Sequence, residues 1–254
     1  MCRHLAYLGP PLRLGEVLTA PPHSLLRQSW APRRQRHGTV NADGFGVGWY
    51  ADGDPVPGRY RRSGPVWADL PFADLTRVVR STAFLAAVRD ATEPGADGEA
   101  AAAPFAAGPW LFSHNGAVAD WPRSVAPLAA ALPAVELLAL EARCDAALLW
   151  ALALRRLRAG AEPGEALAAT VSEVAAAAPA SRLNLLLTDG STITATAWGD
   201  SLWYLTGPGA PGGGTVVASE PYDDDPRWRE VPDRTLVRAV RADVLLTPLK
   251  EPPT

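Results

Sequence analysis

Two helical patterns stand back to back in the middle of the sequence, with short strand-like runs on both sides. This order limits the fold more than any other feature of the chain. The stretch DAALLWALALRRLRAG, residues 145–160, spaces its apolar residues as a helix does, with Asp in the first turn and a closing Gly. EPGEALAATVSEVAAAAP, residues 162–179, reads as a second helix that starts acidic and stops at Pro179. Before them come HLAYLG, GFGVGWYA, AFLAAVRDAT and PWLFSHNGAV, short apolar runs bounded by Gly, Pro or Asn. After them RLNLLLTDG and STITATAWG flank a turn at Asp189-Gly190, a hairpin signal, and SLWYLTG and GTVVASEP follow. Strands, helices, then strands again predict two sheets covered by helices in an α+β chain, one domain over residues 1–254. EPGADGEAAAAPFAAG, residues 93–108, predicts an exposed, mobile loop.

Composition narrows the partners. The formal charge of -3 argues against nucleic acid or an anionic membrane surface. Arginine carries nearly all the positive charge, Lys250 being the only lysine, which with the Ala and Pro content suggests a GC-rich genome. The two cysteines, Cys2 and Cys144, form no disulfide framework and suit a reducing cytoplasm. No signal peptide is read at the start, and the uncharged run 100–118 is broken by Pro104, Gly108, Pro109 and SHNG, so no membrane span is expected.

Cys2 sits directly behind the initiator methionine. Removal of Met1 would leave a residue with both a thiol and an α-amine, and an amine titrating near ~7.7–8.0 is partly a free base at neutral pH. That is a nucleophile with its own base, although a cysteine at this position can also be an accident of the start site. SHNG, residues 113–116, offers the Asn115 carboxamide and the Gly116 N–H as donors to an oxyanion, or simply a turn. Arg89 lies in an otherwise apolar strand and calls for a carboxylate, whether a ligand's or that of Asp43 or Asp90. Asp145 opens the first helix, where it either complements the dipole or meets a substrate ammonium. His114 reads as a structural hydrogen-bonder and Cys144 as a small buried hydrophobe. The Cys and His residues lack the close pairs of a zinc site, so no metal and no cofactor is expected. The glycines of DGFGVGW fall within a strand pattern, unlike those of a phosphate loop.

MCRHLAYLG, NADGFGVGWY, VRDAT, SHNG and RCDAALL occur in the order seen in the class II glutamine amidotransferases, and the chain resembles that family over most of its length. The resemblance implies a four-layer αββα sandwich of the N-terminal nucleophile hydrolase type. It implies Cys2 as nucleophile with its α-amine as base, and Asn115 and Gly116 as the oxyanion hole. Arg89 and Thr92 would hold the α-carboxylate of a γ-glutamyl group and Asp145 its α-ammonium. Ala87 and Asp90 depart from the family pattern, in which a histidine often precedes the arginine by two residues and an aromatic often follows it.

No segment remains for a synthase domain that would use ammonia, so the expected reaction is hydrolysis of a small-molecule γ-glutamyl amide through a thioester. CRHLAYLG, PPHSLLRQSWAPRRQRHG and ASEPYDDDPRWREVPD bring it nearest to the branch that takes glutamate off a γ-glutamylated, histidine-derived sulfoxide on the way to ergothioneine. A glutaminase feeding a separate synthase subunit, another γ-glutamyl hydrolase and a non-catalytic binding member of the fold are the alternatives. Ser29–Arg36 and the loop after Val40 are expected to wall the leaving-group side.

Overall fold

The computed structural model describes residues 2–91 and 98–250. Its strands are β1 (Arg3–Arg13), β2 (Gly44–Trp49), β3 (Gly58–Arg62), β4 (Arg80–Arg89), β5 (Phe105–Ala107), β6 (Trp110–Ala117), β7 (Arg182–Thr188), β8 (Ile193–Ala197), β9 (Trp203–Thr206), β10 (Thr215–Ala218), β11 (Arg229–Glu230), β12 (Thr235–Val240) and β13 (Asp243–Pro248). The helices are α1 (Gly15–Leu18), α2 (Leu25–Gln28), α3 (Leu70–Val78), α4 (Ala126–Ala130), α5 (Ala134–Leu138), α6 (Asp145–Arg158) and α7 (Pro163–Ala177). No helix among the described residues is long and apolar enough to cross a membrane.

Two antiparallel sheets carry the architecture, in the orders β11-β9-β10-β1-β4-β2-β3 and β13-β12-β8-β7-β6-β5. Side-chain alternation along each strand divides the core into three apolar layers. On β7, Leu183, Leu185 and Leu187 pack with Leu149 and Ala153 of α6 and Val171 of α7, while Leu186 faces the other sheet. On β1, Leu5 and Tyr7 pack with Val17 of α1 and Phe72 of α3, while Ala6 and Leu8 face the gap between the sheets. Helices, sheet, sheet and helices form the αββα sandwich.

The glycines of GFGVGW have a packing reason. Phe45 and Val47 point to the helices, so Gly44, Gly46 and Gly48 fall on the opposite face of β2. A Cβ on Gly48 would lie 2.6 Å from Leu111 of the opposite sheet, and one on Gly46 2.5 Å from the Ala103 carbonyl. The close approach needs residues without side chains. The same contact corrects the expectation of an exposed loop at 93–108. Residues 93–97 lie outside the described residues, but Ala101, Ala102 and Phe105 are buried, because this segment lies against the bare face of β2 and supplies edge strand β5.

Candidate active site

One end of the gap between the sheets is polar. Arg3 pairs with Val88 across β1 and β4, which sets Cys2, just before β1, against the end of β4. A backbone hydrogen bond from Asp90 reaches the Cys2 thiol. Burial pushes this thiol up from its ordinary value, and the N-terminal charge, the Asp90 bond and the charge of Arg89 act in the opposite sense. The thiol is therefore protonated at neutral pH and needs a base to react.

Arg89 is 9% exposed, and among the described residues its guanidinium donates to the Asp43 carbonyl oxygen at 3.2 Å rather than to a carboxylate. The Asp43 carboxylate is used elsewhere, accepting from the Ala91 N–H at 2.7 Å. Asp145 is the first residue of α6; its Oδ2 accepts from the Val118 N–H at 3.0 Å and its Oδ1 from the Ala146 N–H at 2.7 Å. Arg89 and Asp145 line one cavity of about 310 Å³, together with Asp90, Trp121, Arg143 and Cys144. Such a cavity offers a cationic fork and an anion to the same ligand, the complement of an amino-acid head group. Burial pushes the Cys144 thiol up to about 11, so it stays protonated. Thr92 lies outside the described residues.

Asn115 and Gly116 come from β6. Asn115 faces Asn184 across β7 and is fully buried; its Nδ2 donates to Ser219 Oγ at 3.4 Å. Gly116 has φ of 152°, and a Cβ there would lie 2.0 Å from the Arg182 carbonyl oxygen, so only glycine fits. His114 points to the helix side, with Nε2 3.0 Å from the Arg182 carbonyl oxygen and Nδ1 3.9 Å from Asp145 Oδ1.

His4 pairs with Ala87 across β1 and β4, and its Nδ1 lies 3.2 Å from Ser113 Oγ. Burial, then the charges of His114 and Arg3, depress its imidazole to about 3. The unfolded histidine titrates near ~6.5. The stability that goes with the neutral ring is thus complete above that pH and is lost as pH falls towards about 3, because the unfolded chain takes a proton that the buried ring refuses. At pH 5 the expected loss is about 2 kcal/mol. Chemical denaturation of wild type and His4→Asn at pH 7 and pH 5 checks this: the wild type should lose more by about that amount, and an equal loss would place the acid lability elsewhere.

No residue of Ser29–Arg36 lines this cavity, which holds the candidate glutamyl handles Arg89 and Asp145. The stretch is pinned alongside instead. The buried Glu220 accepts from the Arg33 and Arg34 N–H groups at 2.9 and 2.8 Å, and Arg33 pairs with Asp224 at 2.7 Å. Gln35 Oε1 then accepts from Arg3 Nε, next to Cys2, and a Cβ on Gly38 would lie 1.9 Å from Asp90 Oδ2. The loop after Arg34 therefore reaches the neighbourhood of Cys2 from the other side. Sequence reasoning singled out ASEPYDDD without finding this role; a carboxylate, Glu220, in an otherwise apolar strand end was the available signal.

The layer order and the buried N-terminal strand are those of the N-terminal nucleophile hydrolases. The glutamine aminotransferase class-II domain protein from Silicibacter pomeroyi superimposes with a TM-score of 0.71 at 25% identity, covering 98% of this chain and 100% of that one. Glutamine phosphoribosylpyrophosphate amidotransferase from B. subtilis shares the fold with a TM-score of 0.65 at 14% identity, covering 98% of this chain and 49% of that one. The family model of the class-II glutamine amidotransferases matches residues 16–213, and the chain belongs to that family. The γ-glutamyl-hercynylcysteine sulfoxide hydrolase of Mycolicibacterium smegmatis is 45% identical over 249 residues, 98% of this chain and 100% of that protein. The protein of the same name from Mycobacterium tuberculosis is 43% identical over 98% of this chain and 97% of its own length.

Proposed function

We propose that the protein hydrolyses the γ-glutamyl amide bond of γ-glutamyl-hercynylcysteine sulfoxide, releasing glutamate and hercynylcysteine sulfoxide in ergothioneine biosynthesis in the cytoplasm. The observation that carries this reading is the pairing of Arg89 and Asp145 on one cavity beside Cys2, in a chain of the amidotransferase family with full-length relatives named for that reaction. Met1 is removed, and the exposed α-amine of Cys2 takes the thiol proton. The sulfur attacks the γ-carbonyl carbon; Asn115 Nδ2 and the Gly116 N–H hold the oxyanion. The amine returns the proton to the leaving nitrogen, the C–N bond breaks and a γ-glutamyl thioester remains. Water, deprotonated by the same amine, attacks the thioester and glutamate leaves. Arg89 and Thr92 hold the α-carboxylate throughout and Asp145 the α-ammonium.

Specificity resides in the leaving group, so kcat/KM for γ-glutamyl-hercynylcysteine sulfoxide should exceed that for γ-glutamylcysteine and for glutamine in one enzyme preparation. Glutamate release measured for all three compounds decides the matter. Equal or better turnover of glutamine would replace this reading with that of a glutaminase supplying ammonia to a synthase.

A further inference from the structure

We infer that Ser219 is a positioning residue for this reaction, fixing the Asn115 carboxamide with its N–H groups directed at the site. The inference rests on the reading of Asn115 as an oxyanion donor. Ser219 follows directly on β10, whose Ala218 pairs with Leu5 of the nucleophile's own strand. Its backbone N–H donates to the His4 carbonyl oxygen at 2.9 Å, and its carbonyl oxygen accepts from Ser201 Oγ at 2.8 Å. The residue is fully buried. Its Oγ accepts from the His4 N–H at 3.0 Å and from Asn115 Nδ2 at 3.4 Å. One hydroxyl thus joins the strand that begins behind Cys2 to the side chain across the gap between the sheets.

A serine oxygen has two lone pairs, and the His4 N–H, a fixed backbone donor, takes one of them. The other accepts from the donor end of the Asn115 carboxamide. The terminal torsion of asparagine is broad and roughly two-fold, so local geometry alone does not choose which end of the amide faces the site. With one Nδ2 hydrogen on Ser219, the second is free for a developing oxyanion. Rotation by half a turn would aim Oδ1 there, a lone pair against a negative charge. Asn115 Oδ1 is buried and accepts no hydrogen bond among the described residues, so the bond to Ser219 is the one side-chain hydrogen bond seen to orient the amide there.

The test is a double-mutant cycle on glutamate release, using whichever γ-glutamyl compound is turned over fastest and rates per mole of folded protein. Removing an oxyanion donor costs about 10²–10³-fold in kcat, and misorienting one costs part of that, so Ser219→Ala should lower kcat about 10- to 100-fold with KM unchanged. In the Asn115→Ala background the same substitution should cost nothing further. Ser219→Cys, which keeps the volume and offers only a weak acceptor, should show the same pattern if Ser219→Ala does not fold. An equal loss in both backgrounds, or none in wild type, would overturn the positioning role alone. Undiminished turnover by the Asn115→Ala single variant would overturn the reading of Asn115, and the role of Ser219 with it.

Discussion

Cys2→Ala protein should keep the wild-type melting temperature and release glutamate about 10⁴–10⁶-fold more slowly, the loss expected when a covalent nucleophile is deleted. The side chain sits at the end of β1, and the apolar layers begin at Leu5 and Ala6, so its removal takes little from the core. The second arm of the same experiment retains Met1. Burial raises the Cys2 thiol, so at neutral pH the sulfur must lose its proton to a base. A nitrogen in a peptide bond cannot accept it, whereas a free α-amine titrating near ~7.7–8.0 can. Protein that keeps Met1 should therefore fall by about 10²–10⁴-fold, the contribution of a positioned base. In the processed enzyme kcat/KM should rise with pH through about 7–8 as the amine is freed. Intact mass combined with single-turnover rates provides the check. Full activity with Met1 in place would remove the α-amine from the mechanism.

Arg89→Lys should lower kcat/KM by roughly 2–5 kcal/mol, the cost of breaking a desolvated charge pair. The guanidinium is buried at the cavity and held by the Asp43 carbonyl oxygen. A lysine would keep the charge and lose the planar fork that matches a carboxylate. Asp145→Asn should weaken activity in the same direction by removing the charge that faces an ammonium. As a helix-dipole partner alone, Asp145 would be worth only about 0.3–1 kcal/mol, and that would appear as stability rather than as turnover. Thermal melting and steady-state kinetics on both variants separate the two roles. Normal hydrolysis with a lowered melting temperature would return both residues to structural duty.

The elements with a strong local signal were legible in the chain. The helices expected at 145–160 and 162–179 are α6 and α7, displaced by no more than two residues at either end. The runs HLAYLG, GFGVGWYA, AFLAAVRDAT and PWLFSHNGAV fall on β1, β2, β4 and β6, and Asp189-Gly190 lies in the β7–β8 connection. Where the signal depends on contact it failed. Ala101, Ala102 and Phe105 read as low-complexity loop, yet they are buried: Ala102 lies against the bare Gly44 of β2, and Ala101 and Phe105 join the core beside α6.

The sequence by itself determined which faces are apolar, where the two long helices begin and end, and which side chains are chemically equipped: a thiol at residue 2, an arginine in an apolar strand, an acid opening a helix. Hydrophobic period is a local property, so it survives without knowledge of any partner. Tertiary structure alone decided which strands are neighbours. A period of two says which face a residue occupies but not what lies opposite, and β1 pairs with β10, more than two hundred residues away in the chain, as well as with β4. That pairing sets Cys2, Arg89 and Ser219 at one end of the gap between the sheets, and the second sheet brings Asn115 to Ser219 across it. Nothing local marks Ser219, and the one local sign of Glu220 is a carboxylate at an apolar strand end. Their roles exist only as hydrogen bonds to atoms remote in sequence, the Asn115 carboxamide and the backbone at Arg33 and Arg34.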